Sequence, residues 1–181
     1  MTWLHGTLRQ KTTMPSAPDG GAGMPWKRAL LGVIALYLAL QGYSVYIASS
    51  LGDAVSVWTA RTLYGGLALL GQHPVLDGAD VSAGATLFRV IPECTVFAPL
   101  ALFVVGVLAF PARPTDKLLA ILGGVIVLSL VNVVRLLSLF GLASMAPDSF
   151  EAVHWLVWQP LMAITALALW GAWARKVTQG G

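Results

Sequence analysis

The chain has 181 residues, of which 57% are hydrophobic and 10% charged, and carries a net charge of +3. A mean hydropathy of +0.76 is too high for a soluble surface, and so small a charge, explained by its placement in loops, does not argue for a nucleic-acid partner, so none is expected. An integral membrane protein remains, and the expected fold class is an all-α bundle of about four transmembrane helices with an interfacial helix and a short extracytoplasmic hairpin.

Residues 1–25, which include PSAPDGGAGMP, lack periodicity and read as a disordered cytoplasmic tail. Residues 26–176 read as a single transmembrane domain, and 177–181 as a second cytoplasmic tail. The first span is expected over 30–48 (LLGVIALYLALQGYSVYIA), directly after Lys27 and Arg28. Its apolar stretch exceeds the roughly 7 to 15 residues of a signal peptide, so it reads as an uncleaved anchor.

An outer segment follows over 50–93. Within it, residues 52–71 carry apolar residues at helical spacing, interrupted by Asp53, Arg61 and two adjacent glycines, which predicts a helix lying in the interface or against the bundle. Asp77-Gly78 is a turn signal, and the partial alternation after it predicts a short hairpin. Three further spans are expected over 95–112, 118–142 and 154–174, joined by PARPTDK and APDSFE.

Basic residues set the orientation. Arg9, Lys11, Lys27 and Arg28 precede the first span, Arg113 and Lys117 lie in PARPTDK, and Arg175 and Lys176 follow the last span. These segments belong inside, which leaves 50–93 and 143–153 outside. Trp26, Trp170 and Trp173 fall at the inner interface, and Tyr43, Tyr46, Trp155 and Trp158 toward the outer one, as aromatic belts do.

Three polar residues then share one depth. Cys94, Arg135 and His154 stand 18 to 21 residues from Arg113, Lys117 and Arg175 respectively. At the helical rise this is about 27 to 32 Å above the inner boundary. A thiol, a fixed cation and an imidazole at one level form a set for acyl transfer. Cys94 follows Pro92-Glu93 at the head of a span, where a helix N-terminus would favour the thiolate; alternatively it is a small buried hydrophobe. Arg135, inside LVNVVRLLSLF, is either an anchor or oxyanion donor, or a snorkelling or structurally paired cation with Glu93, Asp148 or Glu151 as partner. Asn132 and Ser138 flank it on the same helical face. His154 opens the fourth span three residues after Glu151, a spacing that stacks carboxylate on imidazole; the alternative is an ordinary interfacial histidine. Cys94, His154 and the glutamates lack any metal-ligand spacing, so neither metal nor cofactor is expected.

The segments IPECTVFAPLALFVVGVLAFPARPTDK, LVNVVRLLSLF and FEAVHWLVWQP resemble the core of the exosortase and archaeosortase family of membrane transpeptidases over about residues 90–175. The resemblance implies Cys94 as nucleophile, Arg135 of an N-x-x-R motif completed by Asn132 as thiolate or oxyanion stabiliser, and His154 as general acid and base. Glu93, Glu151 and Ser138 are supporting candidates. Several family members carry a glycine two residues after the nucleophile, where this chain has Val96. With one span ahead of the outer segment, the chain resembles compact members, the type called exosortase H among them.

The implied activity is cleavage of the C-terminal sorting signal of membrane-anchored secreted proteins, through a thioester, at the outer face of a bacterial cytoplasmic membrane. The acceptor, whether water, an amine or a hydroxyl, is left open. A non-enzymatic alternative stands beside it: a four-span assembly factor or small transporter subunit with Arg135 in a structural ion pair. A thiol-disulfide oxidoreductase is disfavoured by the single cysteine. Rhomboid-type serine chemistry lacks its motif, and Asp53, Asp77 and Asp80 fall outside the spans that an aspartyl peptidase would use.

Overall fold

The structure, a computed structural model, describes residues 41–179 together with 30, 34 and 37. The expected tail over 1–25, and residues 31–33, 35, 36 and 38–40 of the first span over 30–48, lie outside the described residues. Residues 41–47 are helical, and Ser49 then starts a new helix, α1, Ser50–Leu69. Ser49 Oγ accepts from the Gly52 N–H at 3.2 Å, and Asp53 sits in the first turn where the helix dipole favours an anion. The helix ends in a Schellman arrangement: Gln72 N–H donates to Leu67 O, Gly71 N–H to Ala68 O, and Gly71 takes φ +77°.

Three short strands follow: β1, Val75–Asp77; β2, Asp80–Ala83; and β3, Thr86–Arg89. They form one antiparallel sheet in the order β1-β2-β3. Its two hairpins have two-residue loops, closed by the pairs Asp77↔Asp80 and Ala83↔Thr86. Gly78 and Gly84 open these loops at φ +59° and +60°, the positive value that a type II′ turn requires at its first loop residue. Arg89 and Asp80 sit opposite each other and close an exposed ion pair, Arg89 Nε donating to Asp80 Oδ1 at 2.7 Å.

The chain then passes through a single 3₁₀ turn, Pro92–Cys94, into α2, Phe97–Ala109. A long helix, α3, runs Pro114–Met145 with Pro114 in its first turn, and a final helical rod, α4, runs Pro147–Gln179. Two cores result. In one, Ala60, Leu63 and Leu67 of α1 meet Val81 and Phe88 of the sheet and Leu136, Leu139 and Phe140 of α3, all buried. In the other, Phe103 and Val107 of α2 meet Leu128 of α3 and Ala166 of α4. Close approach there is set by glycine: a Cβ on Gly124 would run into the Phe103 ring, and one on Gly106 would lie 2.9 Å from Trp170 Cδ1.

The expected four-span all-α bundle is therefore corrected. Among the described residues two helices, α3 and α4, are long and apolar enough to cross a membrane, and a three-stranded sheet is part of the fold. The run 95–112 does not form a span. Thr95 is extended, with its hydroxyl donating to Pro92 O at 2.7 Å, and Phe110 is extended ahead of Pro111, where a following proline disfavours helix. What remains is 13 residues, about 20 Å of helix against a hydrocarbon layer of about 30 Å. The segment 52–71 is helical as expected, over Ser50–Leu69, and its buried face packs against the sheet and α3. The single hairpin expected after Asp77-Gly78 is a pair of hairpins. The last span, expected over 154–174, belongs to a rod starting seven residues earlier at Pro147 and continuing to Gln179, into the segment 177–181 expected to be a tail.

Candidate functional site

Cys94 ends the 3₁₀ turn between β3 and α2. Its N–H donates to Ile91 O at 2.8 Å and Pro92 fixes the first position of the turn, so the local sequence I-P-E-C sets where the thiol emerges. The side chain is 2% exposed and packs with Val90, Leu136 and Leu139. Burial pushes the thiol above its ordinary range, outweighing the Ile91 backbone hydrogen bond and the Arg135 cation, which both pull it down. This corrects the expectation of a thiolate favoured by a helix N-terminus: α2 begins at Phe97, so Cys94 lies outside its first turn and is a neutral thiol at neutral pH.

Arg135 lies in α3 and is 1% exposed, the largest fully buried side chain described. Its Nη2 donates to the Glu93 carbonyl oxygen at 3.2 Å and meets His154 Nε2 at 3.4 Å. Among the described residues no carboxylate pairs with it; Arg89–Asp80 is the one ion pair found there. The alternative ion pair with Glu93, Asp148 or Glu151 is not formed; the contact to Glu93 is to its peptide carbonyl. Because guanidinium only donates, the contact requires His154 Nε2 to be the unprotonated nitrogen, which leaves the proton on Nδ1.

Hydrogen-bonding capacity around this arginine is left unspent. Arg135 Nε, Asn132 Oδ1 and His154 Nδ1 are all buried without a partner. Asn132 sits one turn before Arg135 in α3 and is 3% exposed, so the N-x-x-R spacing does bring both side chains to one buried face. Ser138 does not join them: its hydroxyl turns back to donate to Arg135 O at 2.7 Å.

His154, 4% exposed, lies in a π-helical turn, Val153–Trp158, inside α4. Gln159 N–H donates to His154 O, five residues back. Pro160 explains the widened turn. It has no N–H for the carbonyl four residues earlier and its ring crowds that carbonyl, so the helix opens by one residue just before it. The imidazole packs against the rings of Phe150 and Trp155, with centroids 5.9 and 5.2 Å away. Glu151 is exposed and leaves His154 Nδ1 unpaired, so the expected carboxylate–imidazole stack is not formed. His154 also stands two turns inside a helical rod and not at its head.

Cys94, Arg135 and His154 are thus brought together from three elements. Arg135 is the hub, touching His154 directly and Cys94's turn through the Glu93 carbonyl. Two residues that the sequence reading placed only in an aromatic belt also reach this region. Tyr46 Oη is 3.0 Å from Thr95 Oγ1, and its ring stacks on Phe97 at 3.9 Å. Tyr43, one turn earlier, lies within electrostatic range of Glu93, Arg135 and Cys94. The three-residue spacing of the two tyrosines was the available signal, since it puts both on one helix face.

Among the described residues no three His, Cys, Asp or Glu side chains gather to hold a metal ion. No protein-family model, curated protein or solved structure matches this chain.

Proposed function

We propose that this chain is a membrane-embedded cysteine transpeptidase or protease of the exosortase kind, acting on the C-terminal sorting signal of secreted proteins. The observation that carries this reading is a buried guanidinium with no carboxylate partner among the described residues, held between the Glu93 carbonyl and the His154 imidazole, with its Nε unused and with Cys94, the chain's one cysteine, within its electrostatic range. A buried charge left uncompensated costs several kcal/mol on the order of magnitude of ion desolvation, and such an arrangement is kept where charge develops during a reaction.

In this mechanism the Cys94 sulfur attacks the scissile carbonyl carbon while its proton passes to His154. Arg135 Nε and Nη2 stabilise the oxyanion. Collapse of the adduct breaks the C–N bond, His154 protonates the leaving amine, and the acyl group stays on sulfur as a thioester. Water, an amine or a hydroxyl then attacks the thioester, giving its proton to His154; the C–S bond breaks and His154 passes that proton to the departing sulfur, which regenerates the thiol. In the resting state His154 Nε2 is occupied by Arg135 and Cys94 is covered, so substrate entry includes separation of that contact.

The membrane setting rests on α3 and α4. Leu119, Leu122, Ile126, Leu130 and Val134 form an exposed apolar stripe along α3, and Trp155, Leu156, Leu161, Ile164 and Leu167 do so on α4. Arg113 and Lys117 precede or open α3, and Arg175 and Lys176 lie near the end of α4, which favours those ends as cytoplasmic. Arg135 is 18 residues beyond Lys117, about 27 Å of helix, at the outer face where an anchored substrate offers its scissile bond.

Mass spectrometry of the C-termini of secreted proteins, in cells carrying native chain or Cys94→Ala, tests the proposal. Trimmed C-termini, with water or a carrier attached, are expected only with the native chain. Identical C-termini in both strains sink it. One observation favours a second reading, a non-enzymatic assembly or transport subunit: Cys94 lies inside an apolar cluster, as a packing residue does. Full function of the Cys94→Ser, His154→Ala double variant would select it.

A further inference from the structure

The outer edge of β3 is unpaired and leads directly to Cys94. Val90 N–H donates to Ala79 O at 2.9 Å, a bond that brackets the Asp80↔Arg89 pair and identifies it as the non-hydrogen-bonded kind. The N–H and C=O of Arg89, and by the ladder's alternation those of Leu87, therefore point away from β2. With the sheet order β1-β2-β3, nothing in the sheet lies on that side.

A groove of about 560 Å³ runs along this edge, with Leu87, Phe88 and Arg89 on one wall and Asp148, Phe150 and Glu151 on the other. Both walls lead to the catalytic residues. From Arg89 the chain reaches Cys94 in five residues, and from Glu151 it reaches His154 in three. The rings of Phe88 and Phe150 are 5.9 Å apart, as are those of Phe150 and His154, so a line of packed rings joins the groove lining to the buried imidazole. Among the described residues Arg89 is the groove's one cation and is bound to Asp80, while Asp148 and Glu151 have no ion-pair partner.

We propose that the β3 edge is a strand-addition site for an extended segment of the polypeptide on which Cys94 acts, with a basic residue of that segment facing Asp148 and Glu151. This rests on the transpeptidase reading for the identity of its occupant. Backbone hydrogen bonds to Leu87 and Arg89 would fix the segment's register, and register fixes which peptide bond meets the thiol.

The test uses the full chain as Cys94→Ala in detergent micelles and a fluorescein-labelled octapeptide of alternating valine and lysine, read by anisotropy. Saturable binding is expected, and it should weaken by about tenfold or more when alternate peptide amides are N-methylated along one edge. Leu87→Pro removes an outward N–H and no bond to β2, so it should weaken binding similarly while Leu87→Thr does not. Absence of saturable binding, equal binding of the N-methylated peptide, or native binding by Leu87→Pro overturns the proposal. The N-methyl comparison needs no variant and stands if Leu87→Pro fails to fold. Binding without any trimming of secreted proteins would overturn the catalytic reading and leave the edge site standing.

Discussion

Arg135 Nη2 and His154 Nε2 face each other at 3.4 Å between α3 and α4, so the guanidinium rests on the lone pair of a neutral imidazole. This contact ties the two longest helices together at the level of the Cys94 turn. It also means that the base of the proposed reaction is capped until substrate arrives.

Arg135→Lys tests the guanidinium fork. A lysine keeps the charge but carries all its donors on one nitrogen, so it lacks the separate Nε donor that the fork presents alongside the Nη2 contacts to Glu93 O and His154 Nε2. Processing of secreted substrate should fall by about 10²- to 10³-fold, the cost of an oxyanion donor. Retention of more than a tenth of native activity would remove Arg135 from the mechanism.

Pro160→Ala tests the cause of the π turn. With an N–H restored, the rod can continue as α-helix, which rotates His154 by about 100° relative to the residues beyond the turn. Thermal stability in detergent should be unchanged or higher, and processing should fall at least tenfold, in line with a catalytic group misplaced by ångströms. Native turnover in this variant would show that the turn does not aim the imidazole.

Cys94 gives a pH signature. Its thiol in the folded chain is raised above the unfolded value by burial. Between those two values the unfolded chain binds fewer protons, so stability is constant below the unfolded thiol's range, about 8.5, and declines as pH rises through the folded value. The thermal midpoint of the native chain should drop across that alkaline window, and by more than that of Cys94→Ala. Alkylation by iodoacetamide should be slower than for a free thiol at pH 8 and faster after denaturation.

Gly124→Ala tests the junction of α2 with α3. Its Cβ would enter the buried Phe103 ring, a rigid group with little room to turn. Destabilisation of about 1 to 3 kcal/mol is expected from overpacking, measured as a lowered melting temperature. Gly123→Ala, where a Cβ meets nothing within 4 Å, is the matched control.

The helical periodicity of α1, α3 and α4 was legible because their apolar stripes are long. The extent of α2 was not: hydropathy counts Thr95, Val96, Phe110 and Pro111 as part of the run, whereas the Thr95 hydroxyl bond to Pro92 O and the proline at 111 trim the helix to Phe97–Ala109. The second hairpin is not legible in the sequence because Gly84-Ala85 lacks the preceding Asp or Asn that marks the first at Asp77-Gly78. At the site, the i,i+3 pairing of Asn132 with Arg135 was readable from spacing. The partners of Arg135 were not, since a backbone carbonyl leaves no trace in side-chain identity. The Glu151–His154 spacing misled for a physical reason: the rod passes from α to π geometry at Val153, so a rule for ideal α-helix no longer applies across it.

Gly52 shows where freedom to open resides. A Cβ there would meet the Tyr46 carbonyl oxygen at 2.5 Å and Pro92 Cγ at 3.3 Å, and Tyr46 is also bonded to Thr95. The Cys94 turn is therefore wedged on the α1 side by contacts that leave no slack. Across the site the imidazole hangs from a stretch of helix whose ladder is already loosened. Under the proposed reaction, admission of a polypeptide would be a hinge event on the imidazole's side, with the sulfur as its stationary jamb.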